Sequence, residues 1–376
     1  MGKSLYNNAE RSVKRVRLEK NKYIFAPQRK YRDRTHRFRN SLLILLTLLL
    51  LFLFVSNYII SHRVRLEKVY LTVLNLPEDL ESYSILHISD LHGAEYGDHQ
   101  KAIGAALRDT RYSCVVMTGD MLGPDNETGP LLDLIALMPA DKPKYFIPGD
   151  MDGSMTDPFA HSSLSVYADW AEELRAAGVT LLDLPMSETR GKGTIWFVPE
   201  ELYTLNLDNM EAVYRSQLKD MDQRVTSMTA DDAANRRVVE YELERITSLR
   251  EIREQFTKSD IQVVLSHMPM GENYITDNFT WNRKEDFFSI RYAGLILAGH
   301  YNGGQWRLPF GPAIYVPELG WFPKDEEIEG LSYPQGIPQY ISPGLGSDPH
   351  YTYQPGRLFN PPVITLITLT RKAVNG

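Results

Sequence analysis

His87-Ile-Ser-Asp90-Leu-His92-Gly93 ends the short apolar run that begins at Ser84, and the reading of this junction decides the fold. Ser-Ile-Leu-His-Ile suits a buried strand, and Ser-Asp-Leu-His-Gly breaks it with turn-forming residues. Asp90 and His92, two residues apart, can both turn toward one point beyond the strand end. Four further junctions repeat the pattern. The run from Ser113 to Thr118 ends in Gly119-Asp120, and that from Lys144 to Pro148 in Gly149-Asp150-Met151-Asp152-Gly153. Ile261 to Ser266 leads into His267-Met268-Pro269, and Gly294 to Ala298 into Gly299-His300-Tyr301-Asn302-Gly303-Gly304-Gln305. Further strands are expected near Val179 to Leu184, Thr194 to Val198, Ile314 to Pro317 and Val363 to Leu369. Short apolar runs alternating with helical stretches predict an α/β fold with buried strands. In such sheets ligands collect at the carboxyl ends of the strands, where all five junctions fall.

Taken singly, each junction has a plainer reading. Asp-x-His is usually a cap and a surface histidine, Gly-Asp a turn, and a lone histidine before Met-Pro a loop or core residue. Five in series, each at a strand end, point instead to one shared site. Carboxylates with imidazoles suit Mn, Fe or Zn, and a single cysteine excludes a thiolate site. That cysteine, Cys114, lies in the apolar run Cys-Val-Val-Met and reads as a buried strand residue.

The series resembles the calcineurin-like metallophosphoesterases, and specifically their bacterial membrane-anchored branch. That pattern runs Asp-x-His, Gly-Asp-x-x-Asp, Gly-Asn-His-Asp/Glu, His-x-Pro, Gly-His-x-His-Gly-Gly-Gln. Close matches are Ser-Asp90-Leu-His92-Gly, Gly-His300-Tyr-Asn302-Gly-Gly-Gln-Trp-Arg-Leu-Pro, and Ser342-Pro-Gly-Leu-Gly346 followed by Arg357-Leu-Phe-Asn-Pro-Pro362. The resemblance covers roughly residues 68 to 371 without the charged helical stretch described below. It implies two facing mixed β-sheets flanked by helices, and two divalent ions at one edge that together activate water and clamp a phosphoryl group. It assigns Asp90, His92 and the residue at Asn302 to one ion, and the residue at Asp150 with His267 and His300 to the other. Asp120 bridges the two.

The sequence departs from that pattern at four positions. The motif Asn is Asp150, its neighbouring histidine is Met151, the second histidine of the last motif is Asn302, and the second Asp of the Gly-Asp motif is Gly123. Asp150 keeps a strong donor and adds charge, whereas Asn302 offers a weaker amide oxygen and implies reduced occupancy on its side. Met151 cannot give a proton or stabilise a phosphoryl oxygen, the work of the family's histidine; Asp152 matches the acid that orients it. No residue is therefore assigned as catalytic. Three readings follow: a metal-dependent hydrolase of phosphate mono- or diesters, a catalytically weak metal-binding relative that binds a phosphorylated ligand or a protein partner, and a scaffold without metal.

Charge and hydropathy place the chain at a membrane. Residues 1–40 carry thirteen Lys or Arg against three acids, a balance of +10, while the remaining 28 basic and 45 acidic residues give −17. An acidic body repels polyphosphate backbones and argues against nucleic acid. Ser41 to Ile60 contains no charged residue over about 20 positions, the length of one bilayer-spanning helix. The expected organisation is a basic cytoplasmic tail at 1–40, a single-pass anchor at 41–60, and a domain at 61–376 held outside the cell membrane. A lipid-linked or other small phosphate ester is the expected substrate.

Within the domain, residues 206–257 read as a helical hairpin insertion. Apolar residues recur at helical spacing at Met210, Val213, Leu218, Met221, Val225 and Met228, then at Val239, Leu243, Ile246, Leu249, Ile252 and Phe256. Thr229-Ala-Asp-Asp starts the second helix. Its stripes are expected to pack on the domain itself, with partner docking as the alternative.

Overall fold

The computed structural model describes residues 26–157, 159, 165–223, 229–279, 287–348 and 356–372. Val225 and Met228 of the hairpin stripe and the first 25 residues of the basic tail lie outside them. The chain divides into two units, residues 1–58 and 59–376. Most of the first is helix Ala26–His62, in which residues 28–62 contain neither Pro nor Gly and Pro27 sits in the first turn, where its missing N–H is harmless. Its segment His36–His62 is long and apolar enough to cross a membrane. Thr47 Oγ1 satisfies itself within this helix by donating to Leu43 O at 2.9 Å.

The second unit is a sandwich of two mixed sheets, each six-stranded among the described residues. Its strands are β1 (Arg65–Thr72), β2 (Ser84–Ile88), β3 (Cys114–Thr118), β4 (Lys144–Ile147), β5 (Thr180–Leu181), β6 (Met186–Arg190) and β7 (Gly193–Pro199). They continue as β8 (Ile261–Leu265), β9 (Ala293–Ala298), β10 (Tyr315–Val316), β11 (Gly320–Trp321), β12 (Gly330–Ser332), β13 (Gln339–Ile341) and β14 (Val363–Thr370). The first sheet has the order β1-β14-β2-β3-β4-β5 and the second β12-β13-β9-β8-β7-β6, with β10 and β11 forming a separate ribbon.

Alternation of side chains sends one face of each sheet into a shared core, where Ile85, Val116 and Ile367 meet Phe197, Val263 and Leu297. The other face of the first sheet, with Leu86, Val115 and Phe146, is covered by Leu131, Leu134, Trp170 and Leu174 from helices Gly129–Ala136 and Asp169–Ala176. Strands buried on both faces read as near-continuous apolar runs, which is why β3, β8 and β9 stand out in the sequence. Cys114 is a buried free thiol on β3, and burial pushes its pKa well up, as expected of an inert core residue.

Residues 206–257 form helices Leu207–Asp222 and Ala230–Arg253. Thr229 caps the second in a capping box with Asp232. The helices run antiparallel, tied by Arg236 to Asp222 at 2.6 Å and Arg250 to Asp208 at 2.7 Å. Leu207, Ile246, Leu249 and Phe256 pack on Trp196 and Val198 of β7, while Val213 is 47% exposed.

β1, β6, β11, β12 and β13 have no counterpart among the expected strands. β1 (Arg-Leu-Glu-Lys-Val-Tyr-Leu-Thr) is an edge strand whose charged residues Arg65, Glu67 and Lys68 are exposed. Its parallel pairing with β14, some 300 residues on, fixes it in place. β5 is the reverse case, with two residues where a longer run was expected.

The parallel steps β2-β3-β4 and β7-β8-β9 bring the carboxyl ends of β2, β3, β4, β8 and β9 to one edge of the sandwich. All five sequence junctions lie there.

Candidate metal centre

Three of the five junctions, those after β2, β3 and β9, turn through the left-handed region. Asp90 (φ 53°), His92 (48°), Asp120 (53°), His300 (77°) and Asn302 (50°) are all left-handed, a conformation that costs a non-glycine residue about 1 kcal/mol or more. The surrounding hydrogen bonds enforce it: His92 N donates to Asp120 O at 2.9 Å, Asp90 N to Gly119 O at 3.0 Å, and His300 N to Asp90 Oδ1 at 3.0 Å. Two glycines let the loops close. A Cβ on Gly149 would lie 2.3 Å from Asp120 Oδ1, and one on Gly299 would lie 2.5 Å from Asp90 Oδ2.

The loops assemble two groups. Asp90, His92 and Asp120 present donor atoms within 4.8 Å of one another, as do Asp150, His267 and His300. Asp120 stands between them, its Oδ2 3.8 Å from His92 Nε2 and 3.2 Å from His267 Nε2. In the second group His300 Nδ1 lies 3.2 Å from Asp150 Oδ2 and 3.3 Å from His267 Nε2. The groups differ in access: the side chains of His92 and Asp120 are 3% and 5% exposed, that of Asp150 61%.

Proton affinities describe a pocket rich in negative charge. Burial pushes Asp90 up to about 7, despite the opposing charge of His267 and the Ser89 hydroxyl. For Asp120 burial also acts upward, but the hydrogen bond and charge of His267, with His92, bring it below the usual carboxylate range. Burial lowers His267, yet its bond to Asp120 and the charges of Asp90 and Asp120 outweigh that and lift it to about 10. His92 is pushed down to about 4 by burial and so keeps an imidazole lone pair free. His267 Nδ1 faces Thr118 O at 2.8 Å, so Nδ1 carries the proton and Nε2 looks into the centre. Without an ion the buried carboxylates draw a proton onto His267 while His92 stays neutral, and carboxylates with imidazoles are the donor set that divalent Mn, Fe or Zn would take in that proton's place.

The remaining positions are occupied differently. Asn302 turns Nδ2 toward His92 Nε2, 3.4 Å away, and donates to His300 O at 3.2 Å. Its Oδ1 is buried without a hydrogen-bond partner among the described residues, a carbonyl oxygen still open to a cation. Met151 contributes its main chain, donating N–H to Asp120 Oδ1 at 2.8 Å. Asp152, the orienting acid of the motif, accepts from Met121 N and Leu122 N on Oδ1 and from Gly149 N on Oδ2, at 2.9 to 3.0 Å, and so ties two of the loops together.

One residue behind the centre was not singled out as a contributor. Arg357 is 4% exposed and donates to five backbone carbonyls, Asn302 O, Pro343 O, Gly346 O, Asn360 O and Pro361 O. Gly346 N in turn donates to Asp90 O, so Arg357 joins the loops of Asp90 and Asn302. Its place in the Arg-Leu-Phe-Asn-Pro-Pro match was visible in the sequence, but its role was not.

A two-sheet sandwich with aspartates and histidines gathered at the strand ends defines a metallophosphoesterase-type protein. The model of the calcineurin-like phosphoesterase family matches residues 83–302, more than half of the chain, and the chain belongs to that family. Among solved structures it is similar to a phosphopantetheinyl hydrolase from Mycobacterium tuberculosis, at 14% identity and a TM-score of 0.36 over 79% of this chain and 100% of that one. A putative 5'-nucleotidase from Staphylococcus aureus, in complex with alpha-ketoglutarate, aligns at 10% identity and a TM-score of 0.33. That alignment covers 79% of this chain and 56% of the nucleotidase. No curated protein matches the chain.

Proposed function

We propose that the protein is a metal-dependent hydrolase of phosphate mono- or diesters, anchored by the helix at His36–His62 with its body on the outer side of the cell membrane. The observation that carries the reading is the position of Asp120, with one carboxylate oxygen within 3.8 Å of a histidine from each group. Asp90, His92, Asp120 and Asn302 would hold one divalent ion, and Asp120, Asp150, His267 and His300 the other. Such ions supply Lewis-acid polarisation of a phosphoryl oxygen and activation of water near neutral pH.

The chain's own residues divide the rest of the work. Asp120 spans the two groups and is held by Met151 N, which keeps its Oδ2 toward the histidines. Asp150, the most exposed of the ligand carboxylates, lies on the side from which an ester can approach. The thioether of Met151 can neither protonate a leaving group nor donate to a phosphoryl oxygen. The basic tail fits attraction to anionic lipid, and the anchor brings membrane phosphates within reach, which favours a lipid-linked ester.

The loss of an imidazole at Met151 favours one alternative, a metal-binding relative with weak turnover that holds a phosphorylated ligand, or a protein partner along the helices Leu207–Asp222 and Ala230–Arg253. Turnover of a chromogenic phosphodiester by the purified full chain with added Mn, against Asp120→Asn as the blank, separates the two. Mn-dependent cleavage absent from the blank supports hydrolysis. Bound metal without turnover on any mono- or diester favours the binding protein.

A further inference from the structure

His267 and His300 meet edge to face, ring centroids 5.1 Å apart and planes at 87°. They use opposite nitrogens. His267 points Nε2 inward and gives Nδ1–H to Thr118 O. His300 points Nδ1 inward, toward Asp150 Oδ2 and His267 Nε2, so its Nε2 looks outward. Among the described residues the carboxylate facing that outer nitrogen is Glu318, with Oε1 at 3.9 Å. Glu318 lies in the turn of the β10-β11 ribbon, where Tyr315 pairs with Trp321 and Val316 with Gly320. It belongs to none of the five junctions, and the ribbon alone delivers it to the centre.

We propose that Glu318 is a positioning residue: its carboxylate accepts the Nε2–H of His300 and so fixes the tautomer that offers Nδ1 to an ion. The proposal rests on the metal-hydrolase reading above. A ligating histidine needs its far N–H held, and a carboxylate there both orients the ring and raises its basicity. Asp150 cannot serve, because it faces the inner nitrogen. The 3.9 Å separation exceeds a hydrogen bond, and Glu318, 44% exposed, is free to close it once an ion draws the imidazole into place. The same exposure means that its removal should leave the fold intact.

The test is calorimetric titration of Mn into the metal-free full chain in detergent, for the wild type, Glu318→Ala and Glu318→Gln, with melting of the metal-free forms alongside. Glu318→Ala should weaken one of the two ions by about 10- to 100-fold and leave the other unchanged. Glu318→Gln, whose amide oxygen still accepts, should recover most of that loss, and the metal-free melting temperatures should coincide. In the zinc-loaded protein, nitrogen NMR should find His300 protonated on Nε2. Wild-type Mn affinity in Glu318→Ala, or equal losses in both variants, overturns the assignment of Glu318 while leaving the metal reading standing. A wild-type chain that takes up no Mn overturns both.

Discussion

Met151 donates its backbone N–H to Oδ1 of Asp120 at 2.8 Å, so the position at which the family motif carries a histidine still holds the central carboxylate, through its main chain. That bond does not depend on the side chain. The loop geometry can therefore survive a change that removes the acid from the chemistry.

Restoring the imidazole should then restore rate. Met151→His with Asn302→His puts a nitrogen donor beside His92 and an imidazole next to Asp152. General acid catalysis is worth about 10²- to 10⁴-fold, so the gain should be largest on esters with poor leaving groups and small on nitrophenyl esters. Asn302→His alone should raise metal content with little change in rate. A double variant that holds two ions and turns over no ester would show a pocket not shaped for phosphoryl transfer.

Asp120→Asn should lower bound metal and thermal stability together. An ion bound only by the folded chain adds about 2.7 kcal/mol at a hundredfold excess over Kd, and the variant should lose much of that increment. Elemental analysis and melting with Mn or with chelator read both effects. Unchanged metal content would remove Asp120 from the centre.

Arg357→Met should destabilise the protein by at least about 2 kcal/mol, since five carbonyls lose a buried donor at one stroke. Arg357→Lys should recover little, because an ammonium with three donors cannot reproduce the planar fork. Denaturant unfolding of the metal-free chain measures the effect without interference from bound ions. A wild-type midpoint for Arg357→Met would mean that those carbonyls find other donors.

On the proposed topology, in which the ten net positive charges before the apolar span keep the tail in the cytoplasm, protease added to intact cells should digest the body. Complete protection would reverse the topology.

The sequence by itself determined the fold class, because β2, β3, β8 and β9 are short, mostly apolar runs, each followed within two residues by an Asp, His or Gly. It also placed Asp90, His92, Asp120, Asp150, His267, His300 and Asn302 in turns that follow strands, since such a turn is written locally in the chain. What it could not give depends on long-range pairing. β1 is edge sequence until β14 pairs with it, and β13 is three residues defined by β9 on one side and β12 on the other. Only the tertiary structure turned Asn302 with its nitrogen toward His92, set Asp152 to cap two loops, buried Arg357 among carbonyls and carried Glu318 to His300. Local sequence sets where the chain turns, through steric limits and hydrogen bonds a few residues apart. Which atom of a side chain faces which neighbour is settled by backbone arriving from elsewhere in the chain, and no spacing rule records that.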